Sequence, residues 1–167
     1  MIKKVFLIIV LCSMLIFMAN INTAAERESS REKSSYMLQT SIYTLHYDPQ
    51  DYQNNNQRLI GLEYHYPNSN LYGVSYFKNS YEQPTWYFYF GRYFEIHRFS
   101  GFRLTSKLTF GIVDGYDNHD GRYNTWMHQM ETFPGIVASI GIKKNSYRLD
   151  IIPFADAGIT VLLGLEF

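Results

Sequence analysis

Residues 158–167 read GITVLLGLEF, and every second residue of this stretch is bulky and apolar: Ile159, Val161, Leu163, Leu165 and Phe167. Side chains two residues apart point to the same side of an extended chain, so these five share one face. The other face carries two glycines, a threonine and a glutamate around a single leucine. The period of two predicts a β-strand with one bulky apolar face.

The same alternation appears in residues 102–112, FRLTSKLTFGI, where the second face carries Arg103, Thr105, Lys107, Thr109 and Gly111. Beyond Tyr36 no stretch repeats its apolar residues at helical spacing. Extending the pattern in both directions predicts eight strands, at about 37–47, 58–66, 71–78, 85–96, 102–113, 134–142, 147–153 and 159–167.

Eight strands closed into a barrel leave an interior just wide enough for side chains or one small ligand. A bulky apolar outer face and a partly polar interior are typical of barrels of the bacterial outer membrane. We therefore predict an all-β fold, an eight-stranded antiparallel transmembrane β-barrel over residues 36–167. A secreted soluble barrel or sandwich is the alternative.

The gaps between predicted strands alternate in length, with long gaps at 48–57 and 114–133, a medium gap at 79–84, and short gaps at 67–70, 97–101 and 143–146. The gap at 154–158 is also short, although it falls on the side of the long loops. Bacterial barrels place short turns in the periplasm and longer loops outside, which defines a lower and an upper end. Outward aromatic residues are expected near both rims, as at membrane interfaces. They are Tyr43, Tyr47 and Trp86 above, and Tyr66, Tyr72, Phe94, Phe102 and Tyr147 below.

Residues 1–25 have the anatomy of a secretory signal peptide, with Lys3 and Lys4 before an apolar run and Thr23-Ala24-Ala25 at its end. The apolar run is shorter than the roughly 20 residues of a membrane span, which disfavours an anchor. Residues 26–35 form a polar lead-in. We expect the mature chain in the outer membrane of a Gram-negative cell.

The composition excludes several classes of protein and of binding site. Fifteen basic residues balance fifteen acidic ones, so no electrostatic signature of a nucleic-acid partner is present. A single cysteine excludes a disulfide scaffold and a cysteine-based metal site. The acidic loop at 114–121 lacks the glutamate of a calcium loop, because Thr125 occupies that position. We expect no metal and no cofactor.

The inward residues sort by height into two groups. The lower group is charged, and its members should pair with one another because unpaired buried charges are costly. The upper group is apolar with glycines, which predicts a pocket open to the outside and suited to an acyl chain. The lower group is Glu63, His65, Arg103, Lys107, Arg148 and Asp150; the upper group is Ile42, Leu59, Gly61, Phe77, Tyr87, Tyr89, Gly111, Val137 and Ile152.

Three residues at the upper rim could perform chemistry. His46 ends the first predicted strand on its inward face, and Asn79 and Ser80 follow the third strand. A histidine can act as a general base, and a serine can lose its proton or position an oxygen.

At these residues the chain resembles the PagP family, the outer-membrane lipid A palmitoyltransferases. The family's Thr-x-His corresponds to Thr44-Leu45-His46, and its Phe-Lys-Asp-Ser plus aromatic corresponds to residues 77–81, FKNSY. The resemblance covers roughly residues 40–167. It implies a monomer that moves a palmitoyl chain from a membrane phospholipid to lipid A, with His46, Asn79 and Ser80 as the catalytic residues.

The resemblance also assigns three further positions. Gly91 corresponds to the floor of the family's acyl pocket, and Pro134 and Pro153 correspond to a lateral gate where proline weakens strand pairing. Asn79 replaces the family's aspartate and cannot carry its charge, but it could orient His46 by a hydrogen bond. Two rival functions remain open: a lipid A deacylase of the same barrel class, and a non-enzymatic structural or adhesive barrel.

Overall fold

The computed structural model describes residues 33–48, 53–117, 129–154 and 158–167. The predicted signal peptide 1–25 and most of the lead-in lie outside these ranges. Each strand pairs antiparallel with the next and the last pairs with the first, so the sheet closes into an eight-stranded barrel and the predicted fold class is confirmed. The strands are β1 (Ser35–His46), β2 (Ile60–His65), β3 (Asn70–Lys78), β4 (Pro84–Phe99), β5 (Phe102–Asp114), β6 (Thr132–Lys144), β7 (Tyr147–Phe154) and β8 (Gly158–Glu166).

The outer surface of the barrel is apolar over its height. Ile60, Phe90 and Ile136 are 61%, 56% and 70% exposed on three different strands. Such a surface is unfavourable in water and favourable in lipid, as expected of a membrane-spanning barrel. No helix in the described part of the chain is long and apolar enough to cross a membrane.

Aromatic rings cluster near both rims, as predicted. At the lower rim Tyr64, Tyr66 and Tyr72 form a chain of ring contacts with centroids 4.7 and 5.8 Å apart. At the upper rim the ring of Trp86 lies 4.9 Å from that of Tyr76. One residue departs from the prediction: Phe94 is buried, and the Arg92 guanidinium lies 5.9 Å from its ring centroid.

A β-bulge in β1 changes which residues face inward. The register between β1 and β8 shifts between Ser41 and Tyr43. Odd-numbered residues such as Met37 and Gln39 face inward before the shift, and Thr44 is the first residue to face inward after it. Ile42 is therefore 57% exposed on the outside, and the prediction that it lines the upper interior is wrong. The extra residue of a bulge bends the strand and reverses alternation beyond it. This shift gives Thr44 and His46 their inward orientation.

The lower interior holds a closed network of charges, as predicted. Glu63 is fully buried and accepts hydrogen bonds from Lys107 Nζ at 2.5 Å, His65 Nε2 at 2.7 Å and the Tyr89 hydroxyl at 2.9 Å. A separate buried pair joins Arg148 Nε and Asp150 at 2.7 Å. Arg103 lies at the lower edge, 3.8 Å from Glu95, and its side chain is 32% exposed.

The upper interior holds apolar side chains, as predicted, together with the buried Thr44, Thr160 and Gln57, which hydrogen-bond to one another. Leu59, Ile152 and Leu162 form one buried cluster, and Tyr87 and Tyr89 belong to a second one below it. Phe77 and Val137 pack against both clusters and join them across the barrel. The boundary between the apolar and charged halves is Tyr89, whose ring stacks on Tyr87 while its hydroxyl binds Glu63.

Candidate active site

Three polar side chains meet at the upper rim of the barrel. His46, the last residue of β1, is only 5% exposed. Its Nε2 lies 3.0 Å from Ser80 Oγ, and its Nδ1 lies 2.7 Å from Asn55 Oδ1. The structure thus brings together His46 and Ser80, two of the three predicted catalytic residues, and adds Asn55.

The backbone explains how residues from distant strands meet here. Residues 53–59 precede β2 and run beside the upper end of β3, where Lys78 N–H donates to Gln57 O at 2.7 Å and Asn54 N–H donates to Ser80 O at 2.9 Å. These two bonds hold Asn55 beside the loop that carries Ser80. Because the bulge in β1 makes Thr44 and His46 face inward, the His46 side chain enters the space between them.

The hydrogen-bonding capacity of the three groups determines which atom donates and which accepts in each of the two hydrogen bonds. Asn55 Oδ1 can only accept, so His46 Nδ1 carries the hydrogen and donates it. A neutral imidazole then leaves Nε2 as an acceptor for the Ser80 hydroxyl hydrogen. This is the arrangement of a nucleophile, a general base and a group that orients the base.

Asn79 has a different place from the one predicted. Its side chain is fully buried within its own loop, where Oδ1 accepts from Tyr81 N–H at 2.9 Å and from Gln83 N–H at 3.1 Å. Its Nδ2 donates to Gln83 Oε1 at 3.0 Å. The prediction that Asn79 orients His46 is therefore corrected: Asn55 does so, and Asn79 shapes the loop that presents Ser80.

Gln83 ties this loop to the connection that follows β5. Its Nε2 donates to Asp117 O at 2.5 Å, and Asp117 N–H donates back to its Oε1 at 3.3 Å. Nearby, the ring of Tyr116 lies edge-on to Phe133 with centroids 5.3 Å apart, and burial raises the pKa of Tyr116 to about 12. The loops around Ser80 are thus fixed to one another, and Tyr116 stays neutral.

The two prolines predicted to form a lateral gate lie beside a break in strand pairing. β6 pairs with β7 only from Lys144–Tyr147 up to Ile140–Ile151, although both strands continue upward. Above this point β6 remains paired with β5, and β7 with β8. We call this unpaired stretch the β6–β7 seam; it is formed by residues 132–139 and 152–154.

Proline chemistry accounts for where the seam begins. Lys144 and Tyr147 flank a two-residue turn and form a hydrogen-bonded pair, and such pairs alternate along an antiparallel ladder. The next such pair after Ile140–Ile151 would be Ala138–Pro153, and Pro153 has no N–H to donate. Pro134 lies four residues above Ala138, so its nitrogen also faces the seam.

Gly91 lies one inward position below Tyr89 on β4, opposite Leu71 and Thr109. A Cβ at this position would collide with the carbonyl oxygen of Leu108 and with Thr109. The glycine therefore permits close approach of β5. The role of Gly91 as the floor of an acyl pocket stays a prediction, and Tyr89 is the side chain that closes the apolar half from below.

No cluster of three or more histidine, cysteine or acidic side chains with metal-binding geometry occurs among the described residues. Of the predicted catalytic residues, His46 and Ser80 are thus in contact. The sequence analysis did not predict Asn55, which also contacts His46. Its only signal was the run Asn54-Asn55-Asn56 in the connection after β1.

Comparison with known proteins finds distant similarity among solved structures. No protein-family model matches the chain, and no curated protein matches its sequence. Among solved structures, the outer membrane protein Ail of Yersinia pestis, determined in a phospholipid bilayer nanodisc, is similar with a TM-score of 0.47 and 13% identity. The match covers 80% of this chain and 98% of that one.

Proposed function

We propose that this chain is an outer-membrane acyltransferase that moves a fatty acyl chain from a phospholipid to lipid A. The observation that carries the proposal is the 3.0 Å contact between His46 Nε2 and Ser80 Oγ at the upper rim of a barrel with an apolar surface. A base and a hydroxyl in contact are suited to acyl transfer, and the upper rim of a barrel with an apolar outer surface would lie next to the acyl esters of the outer leaflet.

The donor phospholipid reaches the interior sideways through the β6–β7 seam, where backbone pairing is missing. Its acyl chain lies along the apolar upper interior, whose lower limit is the ring of Tyr89. His46 takes the proton from the lipid A hydroxyl that receives the acyl group. A lysophospholipid leaves, and the reaction needs neither metal nor cofactor.

A lipid A deacylase is the second candidate, and the contact of Ser80 with His46 also favours it. In that reaction water replaces the lipid A hydroxyl as the acyl acceptor, and lipid A is the acyl donor. The two enzymes differ in the sign of the mass change that they cause in lipid A. A structural or adhesive barrel would cause none.

The test is mass spectrometry of lipid A from Gram-negative cells that express the chain. We expect a gain of one fatty acyl group with the wild-type chain and with His97→Ala, an exposed histidine near the lower rim. We expect none with His46→Ala, compared at equal amounts of folded barrel in the outer membrane. Loss of an acyl group would identify the deacylase, and unchanged lipid A would refute both enzymes.

A further inference from the structure

We infer that acyl transfer proceeds through a covalent acyl-Ser80 intermediate, and that Asn55 is the positioning residue that holds His46 for this step. The inference rests on the proposed function and deepens it. The alternative is direct attack of the lipid A hydroxyl on the phospholipid, in which Ser80 only positions a reacting oxygen.

The geometry favours Ser80 as the attacking group. The imidazole is held at both nitrogens, by Asn55 Oδ1 at 2.7 Å and by Ser80 Oγ at 3.0 Å. In the resting site Ser80 is the group that contacts His46 Nε2, the free acceptor of the imidazole, and this arrangement makes Ser80 nucleophilic. A serine that merely positioned a substrate oxygen would not need its hydroxyl hydrogen aimed at the base.

The loop also supplies a donor for the transition state. The N–H of Tyr81 is bound to Asn79 Oδ1, whereas the Ser80 N–H donates to no group in the described part of the chain. In chymotrypsin-type serine proteases the nucleophile's own N–H is one of the oxyanion donors. Asn79 and Gln83 hold the loop in the conformation that leaves this N–H available.

The reaction then has two balanced steps. Ser80 Oγ attacks the ester carbonyl carbon of the phospholipid while its proton passes to His46 Nε2; the ester C–O bond breaks, and His46 returns the proton to the leaving lysophospholipid oxygen. In the second step the lipid A hydroxyl attacks acyl-Ser80 and gives its proton to His46. The acyl–Oγ bond breaks, and the proton returns to Ser80.

Labelling with a fluorophosphonate tests this without any lipid substrate, because Ser80 Oγ would displace fluoride and form a stable phosphonyl ester. The folded full barrel in detergent micelles is treated, and the labelled peptide is identified by mass spectrometry. We expect labelling at Ser80 in the wild-type chain and in Asn56→Ala, a control at the neighbouring exposed asparagine. We expect the rate of labelling to fall at least 100-fold in His46→Gln and about 10–100-fold in Asn55→Ala.

The variant Asn55→Asp separates positioning from a structural role. An aspartate keeps the accepting oxygen and stabilises the protonated imidazole, so labelling should be retained and the acidic limb of its pH profile should move to higher pH. Equal labelling rates in Asn55→Ala and wild type would overturn the role of Asn55. So would an Asn55→Asp pH profile whose acidic limb lies at the wild-type pH. Absence of label at Ser80 in the folded wild-type barrel would overturn the covalent intermediate.

Failure of the proposed function has a different signature. If Ser80 is labelled and lipid A mass is unchanged in cells, the reactive serine stands and the transfer to lipid A is refuted. If Ser80→Ala still adds an acyl group to lipid A, the proposed function stands and the covalent intermediate is refuted. Heat-modifiable migration on gels verifies that each variant forms the barrel.

Discussion

Pro153 on β7 lies two residues above Ile151, the last residue of β7 that pairs with β6. Continuing that register would put Pro153 opposite Ala138, where the ladder needs an N–H that proline lacks. The last pair below it is Ile140–Ile151, and no pair follows. On their other sides both strands stay paired up to the rim. A single missing N–H thus coincides with the lower end of the β6–β7 seam.

Replacing Pro153 by alanine should close the lower part of this seam. The new N–H can donate a hydrogen bond to Ala138 O. A net gain of about 0.5–1.5 kcal/mol per hydrogen bond would lower the equilibrium constant for opening of the seam by roughly 2–10-fold. We expect acyl transfer from vesicle phospholipid to slow by that factor, and the Ala138 amide to exchange its hydrogen more slowly.

The matched control is Pro67→Ala, in the lower turn that connects β2 and β3. It removes a proline without touching the seam, so the transfer rate should stay at the wild-type value. A Pro153→Ala barrel with a protected Ala138 amide and an unchanged transfer rate would show that substrate does not pass between β6 and β7.

Asn79→Asp tests whether position 79 takes part in the chemistry. The aspartate would keep the oxygen that accepts from Tyr81 N–H and Gln83 N–H. Its second oxygen would replace the Nδ2 donor and face Gln83 Oε1, so that bond is lost. We expect the rate of acyl transfer per folded molecule to stay within about threefold of wild type, because only one hydrogen bond of modest net value is lost. A rise of tenfold or more would mean that an acid here assists His46, contrary to the observed contacts.

Lys107→Met should destabilise the barrel without affecting the upper rim. Removing the lysine leaves the carboxylate of the fully buried Glu63 without its ammonium partner, and breaking a buried pair in this way costs about 3–5 kcal/mol. Adding Glu63→Gln should recover most of this loss, because the neutral amide keeps an accepting oxygen for Tyr89. Urea-induced unfolding in lipid vesicles measures both variants, and purely additive effects would contradict the pairing.

The barrel could be predicted because its strands are governed by a local pattern. Period-two alternation marks each strand from Ser35 to Glu166, and closure follows from eight such strands with one apolar face. The charged lower and apolar upper interior follow from the same alternation, since residues of one parity face inward. Even the seam could be anticipated, because the absence of an N–H on Pro153 is a property of the residue itself.

The errors came from features that the alternation does not encode. Nothing in Ser41-Ile42-Tyr43 marks the bulge that turns Ile42 outward, because a bulge depends on the register with β8. Asn55 was missed for a similar reason: its place beside His46 depends on the pairing of residues 53–59 with the end of β3. Asn79 was misassigned because its neighbour in sequence, Ser80, is in the site while its own side chain turns back into the loop.

Gly91 offers the clearest distinction between a pocket floor and a packing requirement. If its missing side chain only set pocket depth, Gly91→Ala would fold normally and shorten the preferred acyl chain. The structure instead predicts lower stability, because the added Cβ meets the β5 backbone at Leu108, which cannot move aside as a side chain can. Gly135→Ala is the matched control, since its Cβ would meet only side-chain atoms of Val113 and Tyr87.

We expect Gly91→Ala to lose about 1–3 kcal/mol of unfolding free energy, typical of overpacking, and Gly135→Ala to lose less. Among molecules that still fold, the Gly91→Ala barrel should keep the wild-type acyl-chain preference, because Tyr89 lies between position 91 and the apolar upper interior. Urea unfolding in vesicles and the lipid A acyl-chain distribution give the two readouts. A stable Gly91→Ala barrel that transfers shorter chains would restore Gly91 as the floor and would mean that Tyr89 moves aside when the acyl chain binds.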